Sequence, residues 1–402
     1  MSTHHYSSEP GPTIQLGSRA ASVERTAGLI GGLSLLLCVA AFFINRAHFF
    51  QSYLFAFFYW GGFSIGGLGI LLLNNVVGGK WGVLIRRLLE AKMRTLPVVA
   101  LLFVPIAIGI PYLYPWANDA LHHSKVLQHK APYLNTPFFL IRAVFYFALW
   151  IFWGFWVQRL TDQQDRTGDP GLVVRLRQIS APGLLLFTLT ATFAFIDWIL
   201  SADAEFFSTV FGAILLFSNV LQTFALSIMV LILVSQEDRW EGRVHSKVLH
   251  DLGNLMFAFT IFWTYLSASQ LIIVWPANLP MEIGYYIART QGFWKVMTWV
   301  IALTMFAIPF LALLSQDRKR DPKRLIRVAI WLLCANLLFA FWAVIPMFRA
   351  NGFAIYWTDI VAFFGVGGVW LYAYLGQLRK RPLMPLFDPR LPEPIIEEEA
   401  LA

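Results

Sequence analysis

The sequence predicts an all-α polytopic membrane protein of about ten transmembrane helices, arranged as two four-helix bundles with one flanking helix at each end. Three observations carry this. Ten apolar stretches fill the chain, the basic residues between them fall mostly on one side, and the composition leaves too few charges for a water-soluble core.

A helix rising about 1.5 Å per residue needs roughly twenty residues to cross a hydrocarbon core of about 30 Å. Stretches of that size occupy 26–45, 53–74, 96–113, 138–157, 182–200, 210–235, 254–274, 293–314, 325–347 and 357–378. Two Lys or Arg precede the first stretch, five separate the second from the third, four the fourth from the fifth, three the sixth from the seventh and five the eighth from the ninth, with Arg327 in the first turn of the ninth, and four follow the tenth. That side holds 24 of them and the other side 7, counting helix-end residues such as Arg142 and Lys295. The positive-inside rule makes the first side cytoplasmic, and an even number of spans then puts both termini there.

Composition agrees, with 58% hydrophobic residues, 13% charged residues and a mean hydropathy of +0.61. The pI near 9.5 does not indicate nucleic acid, because the basic residues are spread over loops rather than gathered in one patch. Residues 1–22 read as a disordered cytoplasmic tail without the layout of a cleaved signal. Then follow the first helix with its loop (23–52), the first bundle (53–205), the second bundle (206–350), the tenth helix (351–380) and a Pro-rich, acidic tail (381–402). That last tail ends in Glu397, Glu398 and Glu399 and reads as a solvated end or a docking tail.

Cysteine and histidine exclude several redox roles. Cys38 and Cys334 lie in separate helices and cannot supply the four thiolates of an iron–sulfur cluster, and there is no CxxCH for covalent haem. All eight His lie in tails, loops or helix ends, whereas a membrane b-type haem wants paired His within spans. His122, His123 and His129 are close in sequence but lack acidic or thiol partners, so they read as a solvated loop rather than a metal site. The chain is expected to hold no cofactor and no metal of its own.

An internal repeat is visible. Spans two to five and six to nine are offset by roughly 144 to 157 residues, and the run Phe193-Ala194-Phe195-Ile196-Asp197-Trp198 aligns with Phe339-Ala340-Phe341-Trp342-Ala343-Val344. Repeats of four helices begin on the same side of the membrane, so their axis would run along the membrane normal.

A charge at membrane depth costs about 2.5 to 3.5 kcal/mol on insertion scales and therefore asks for a reason. Asp197 falls in the outer half of the fifth span, with Thr190 one heptad earlier on nearly the same face. Asp203 and Glu205 follow, and Glu282 and Asp359 lie on the same side, with Arg289, Lys295 and Arg349 as potential partners. Asp197 is either an ion-paired anchor or part of a proton path.

The seventh span supplies the opposite end of such a path. His250 and Asp251 lead into it, and Asp251, Asn254, Tyr265 and Ser269 occupy about a third of its circumference over about 27 Å. Interhelical hydrogen bonding accounts for such a stripe, as does a water-assisted path from His250 and Asp251 towards Asp197.

The run from His250 to Phe259, continuing through Trp263, Tyr265, Ser269, Gln270, Trp275, Asn278, Leu279, Pro280 and Glu282, resembles the ActF-type membrane subunit of bacterial alternative complex III. So do Asp197-Trp198, Ser201, Phe206-Phe207-Ser208-Thr209 and Phe211-Gly212. That family belongs to the NrfD-like and polysulfide-reductase-like anchors, built of two four-helix bundles. The resemblance implies a cofactor-free integral membrane subunit of a quinol:cytochrome c (or other periplasmic acceptor) oxidoreductase in a bacterial cytoplasmic membrane. Haem c, iron–sulfur clusters and quinone would sit in partners: a homologous NrfD-like quinol-oxidising subunit, an iron–sulfur subunit, and multihaem and monohaem cytochrome c subunits. On this view Asp197, Asp203, Glu205, His250, Asp251, Tyr265, Ser269 and Asp359 mark the proton path. A quinol-binding anchor and an independent secondary transporter are the alternatives. Against a transporter, the spans show no pair of Gly- or Pro-broken helices at matching midplane positions, with Gly61-Gly62 and Gly66-Gly67 in the second span as the one partial exception.

Overall fold

Among the described residues, ten helices are long and apolar enough to cross a membrane: α1 (Ala20–Ile44), α2 (Arg46–Val77), α3 (Arg86–Ile108), α4 (Thr136–Thr167), α5 (Gly171–Ala202), α6 (Phe211–Val234), α7 (Ser246–Ala277), α8 (Gly292–Leu314), α9 (Pro322–Met347) and α10 (Trp357–Arg379). The protein is an all-α polytopic membrane protein. The computed structural model describes residues 18–118, 124–203, 206–235, 244–277, 282–349, 352–385, 388 and 390–391.

α2 is the hub, with 89% of its apolar window buried. Lipid tails are as apolar as leucine, so membrane helices associate through close backbone approach and polar contacts rather than through hydrophobic exclusion. The glycines of α2 serve that purpose. A Cβ on Gly62 would lie 2.3 Å from Oδ1 of Asn219, and one on Gly66 2.4 Å from Oγ1 of Thr223, both on α6. Gly67 faces Cβ of Lys92 on α3, and Gly69 faces the Phe187 ring on α5. The helix runs unbroken through all of them.

Helices α2 to α5 pack on one another, as do α6 to α9, and the two groups meet along α2, α5 and α6. α1 and α10 form a pair of their own, and α10 also leans on α2. Their crossing is tight enough that a Cβ on Gly368 would fall 2.5 Å from Cα of Gly31.

Several helices outrun the stretches expected from hydropathy. α2, α4, α5 and α7 each have 32 residues, about 48 Å, well beyond a 30 Å core. Hydropathy detects only the hydrocarbon-deep part, while caps set the ends. Asn45 accepts from the His48 amide at 3.0 Å to start α2, and Asn135 accepts from the Phe138 amide at 3.0 Å to start α4. Gly78 and Gly168 close the same helices with φ of 73° and 64°. Pro182, expected at the start of the fifth span, lies inside α5. α8 carries a π-turn at Ala302–Ala307, and the indole of Trp331 donates to the Thr304 carbonyl there at 2.9 Å.

The expectation of a solvated end after α10 does not hold for three of the described residues there. Leu383, Met384 and Asp388 are buried, because Asp388 meets a guanidinium and the two apolar side chains cover the core beneath it.

Candidate functional site

Asp197 lies near the end of α5 and is 1% exposed. Arg142, in the second turn of α4, clamps it through both nitrogens: Nε donates to Oδ2 at 2.8 Å and Nη2 to Oδ1 at 3.0 Å. The Tyr146 hydroxyl, one turn along α4, donates to Oδ2 at 3.0 Å. A buried carboxylate held by a bidentate guanidinium and a phenol forms a neutral unit, which is how the chain tolerates the charge at this depth. Thr190 belongs to a different contact, accepting from the Trp150 indole at 2.9 Å. The Arg142 guanidinium also donates to the Tyr133 carbonyl at 2.9 Å and lies 3.9 Å from the centre of that ring. Burial, then the Asp197 charge, pushes the Tyr133 phenol up to about 12.

Of two further buried arginines on this side of the molecule, Arg349 repeats the arrangement and Arg289 meets backbone carbonyls instead. Arg349 grips Asp359 at 2.8 and 3.1 Å, with Ser52 of α2 donating to the same carboxylate at 2.6 Å and the Tyr356 ring 4.1 Å from the guanidinium. Asp359 also accepts from the Tyr356 amide at 2.8 Å, capping α10. Arg289 lies over Tyr285 at 3.4 Å and donates to the carbonyls of Tyr285 and Ala343, each at 2.9 Å. Burial lowers its pKa, against which the charges of Tyr285 and Asp203 act. Of the potential partners named from sequence, Arg349 serves Asp359, whereas Asp197 takes Arg142. Asp203 accepts from the Phe206 amide at 3.3 Å. Glu205 lies outside the described residues.

At the opposite end of α7, the Asn254 amide joins two basic groups. Its Oδ1 accepts from Nζ of Lys319 at 2.6 Å, and its Nδ2 sits 3.3 Å from Nδ1 of His250, whose ring is 3.8 Å from the Asp251 carboxylate. Burial lowers the Lys319 pKa. Farther along, Tyr265 is 65% exposed and points away from the bundle, and the Ser269 hydroxyl donates back to the Tyr265 carbonyl at 2.5 Å. Gln270 turns inward and accepts from Ser208 at 2.8 Å. The structure therefore groups His250, Asp251, Asn254 and Lys319. It sets Tyr265 and Ser269 on the outer face, and no contact among the described residues links either group to Asp197.

Sequence reasoning missed the largest polar cluster. Glu90, fully buried in the second turn of α3, accepts from Arg86 at 3.0 Å, Arg87 at 2.7 Å and Arg94 at 3.3 Å. Arg86 also donates to Asp388 at 2.7 Å and to Gln164 at 3.0 Å, Arg87 pairs with Asp165, and Arg381 pairs with Asp162. In the sequence the arginines of this cluster fall outside the apolar stretches and read as loop cations. The i, i+4 spacing of Arg86, Glu90 and Arg94 was the available signal, since it stacks opposite charges on one helical face. Two residues beyond Glu90, Lys92 is fully buried and donates to Oγ of Ser227 at 2.6 Å and to the Thr223 carbonyl at 3.1 Å.

Among the described residues no group of three or more His, Cys, Asp and Glu is placed to hold a metal ion. His122 and His123 lie outside those residues. Fold and clusters define a multi-pass helical membrane protein with neutralised ionic groups buried at both ends of its helices. No family model matches the chain, and no curated protein matches it.

Proposed function

We infer that the protein is a cofactor-free membrane subunit of a quinol:cytochrome c (or other periplasmic acceptor) oxidoreductase of the alternative complex III type, contributing to assembly and to proton conduction. The observation that carries this reading is the Asp197 site. The stretch resembling ActF contains a carboxylate kept inside a membrane helix with a guanidinium and a phenol built around it. Side chains kept at such depth at a cost mark ion or proton pathways more often than they mark stability. Redox centres, on this reading, belong to iron–sulfur and cytochrome c partners beside a homologous quinol-oxidising subunit. The membrane is a bacterial cytoplasmic membrane, with the basic side of the helices and both termini facing the cytoplasm.

The test is purification from detergent extracts through a tag on this chain. Haem-containing companions are expected in stoichiometric amount, while the chain stripped of them shows no haem absorption and no iron. Asp197→Asn is expected to leave the assembly intact and to lower the protons moved per electron. A solitary protein that transports a solute unaided would overturn the reading.

A further inference from the structure

Among the described residues Lys92 is the one fully buried lysine, and the buried Arg289 and Lys319 likewise meet neutral oxygens. Arg86, Arg87, Arg94, Arg142 and Arg349 each face a carboxylate, but no carboxylate among the described residues lies within ion-pair distance of Lys92. Glu90, the nearest acid on its own helix, is engaged by three arginines. The groups facing Nζ are the Ser227 hydroxyl and Thr223 carbonyl of α6 and, from α10, the Tyr374 ring at 5.8 Å. The Tyr374 hydroxyl is itself buried without a partner. From α2 comes only Gly67, whose missing side chain makes room for Lys92. A buried ammonium without a counter-ion costs several kcal/mol that a leucine or methionine would not, so stability does not explain the residue.

A polar stripe leads away from it along α6. Ser227, Thr223, Gln222 and Asn219 are all buried and succeed one another at helical spacing over about 12 Å. Gln222 donates to Oδ1 of Asn219 at 3.1 Å, and Asn336 of α9 joins by donating to the Ser218 carbonyl at 2.9 Å. Three atoms on this route, Oε1 of Gln222, Nδ2 of Asn219 and Oδ1 of Asn336, are buried with no partner. Interior polar groups are nearly always satisfied by protein or ordered water, so these three atoms are open to a hydrogen-bonded water. Gly62 and Gly66 of α2 are what leave the stripe its space.

We propose that Lys92 is a proton-exchanging residue inside the bundle, passing its proton along the Ser227, Thr223, Gln222 and Asn219 stripe between α2 and α6. An N–H bond forms at Nζ as the proton arrives and breaks as it leaves, and nothing is oxidised or reduced. The inference rests on the reading of the chain as a proton conductor and names the group that carries the charge. The experiment uses vesicles holding the intact complex, with quinol added and two quantities recorded together: acceptor reduction, and pH change from an enclosed dye. Lys92→Met is expected to lower the protons moved per electron while the complex assembles normally. Lys92→Arg should fail in the same way, because a guanidinium keeps a positive charge but does not release its proton. Recovery of the wild-type ratio by Lys92→Arg would make the residue a structural cation and overturn the proposal. A wild-type ratio in Lys92→Met would overturn it too, leaving the reading of the chain intact, whereas wild-type vesicles that move no protons would sink that reading itself. If Lys92→Met does not assemble, Gln222→Leu interrupts the same stripe, and an unchanged ratio there counts against the route.

Discussion

Arg289 donates through Nη2 to the carbonyl oxygen of Ala343 at 2.9 Å, and Ala343 is the residue that aligns with Asp197 when the two halves of the chain are compared. In the first bundle a guanidinium under a tyrosine ring meets a carboxylate. In the second, the counterpart guanidinium lies under its own tyrosine ring and meets backbone at the corresponding place. Under that alignment of the sequence, a guanidinium beside a tyrosine ring meets an acid in one half and a backbone carbonyl in the other.

The two arginines are therefore expected to respond differently to removal. Arg142→Met strands the Asp197 charge in the protein interior, a loss of about 3–5 kcal/mol for one partner of a buried pair. Arg289→Met strands carbonyl oxygens rather than a hydrogen-bonded carboxylate, at about 1–3 kcal/mol for each buried acceptor left unmade. Melting in detergent should place Arg142→Met well below Arg289→Met, and the double change Arg142→Met with Asp197→Ala should recover part of the loss. As a direct check on the repeat, Ala343→Asp should be better tolerated with Arg289 present than in the Arg289→Met background.

The cluster at the other end sets five guanidiniums, of Arg86, Arg87, Arg94, Arg381 and Arg390, against four carboxylates, of Glu90, Asp162, Asp165 and Asp388. Glu90 is the fully buried member that three of the cations share. Glu90→Gln keeps the shape but leaves those cations facing one another, and a loss of about 3–5 kcal/mol follows. Asp165 is 27% exposed and pairs with one of them, so Asp165→Asn should cost about 1 kcal/mol or less. Thermal unfolding of the two variants side by side separates them.

Packing of α1 on α10 offers a comparison between adjacent residues. A Cβ at position 31 would lie 2.8 Å from the backbone of Gly368, while one at position 32 would meet nothing within 4 Å. Gly32→Ala should be neutral or stabilising by up to about 1 kcal/mol through backbone entropy. Gly31→Ala should push the two helices apart and lower the melting temperature by several degrees. Equal behaviour of the two variants would mean that α1 and α10 do not cross in close contact at Gly31 and Gly368.

Ten spans and their order were legible because burial in lipid acts on each residue's own hydropathy, which is written locally. Partners were not. Asp197 signals that something must neutralise it, but nothing in its neighbourhood points to Arg142, 55 residues away and counted as a helix-end charge. Lys92 was hidden for the same reason as Glu90. A charged run before Leu96 looks like a loop until the helix is seen to begin at Arg86, with its ions paired face to face. On α7 the stripe itself was legible, though not its direction, because periodicity defines a face without saying what lies opposite. Tyr265 turned out to point outward and Gln270 inward.

Asp388 ties the segment after α10 to the start of α3, and its ionisation makes that tie sensitive to acid. Burial by itself would raise its pKa, but the hydrogen bond and charge of Arg390, with the charge of Arg86, outweigh burial and hold the carboxyl below its ordinary value. A folded-state pKa below the unfolded one means that the docked segment gains stability above the ordinary carboxylate range, near pH 4. The gain is lost as pH falls through the lower, folded value. Hydrogen exchange over 382–391 should thus show protection that is constant from pH 7 to about 5 and collapses in the acid range below about 4. Asp388→Asn cannot pair as an anion at any pH, so its segment should exchange faster at neutrality and show little further change on acidification. Arg86→Met should weaken protection less than Asp388→Asn, since Arg390 still holds the carboxylate at 2.9 Å. Protection that survived acid unchanged in the wild type would show that Leu383 and Met384 alone keep the segment in place, with the ion pair contributing nothing.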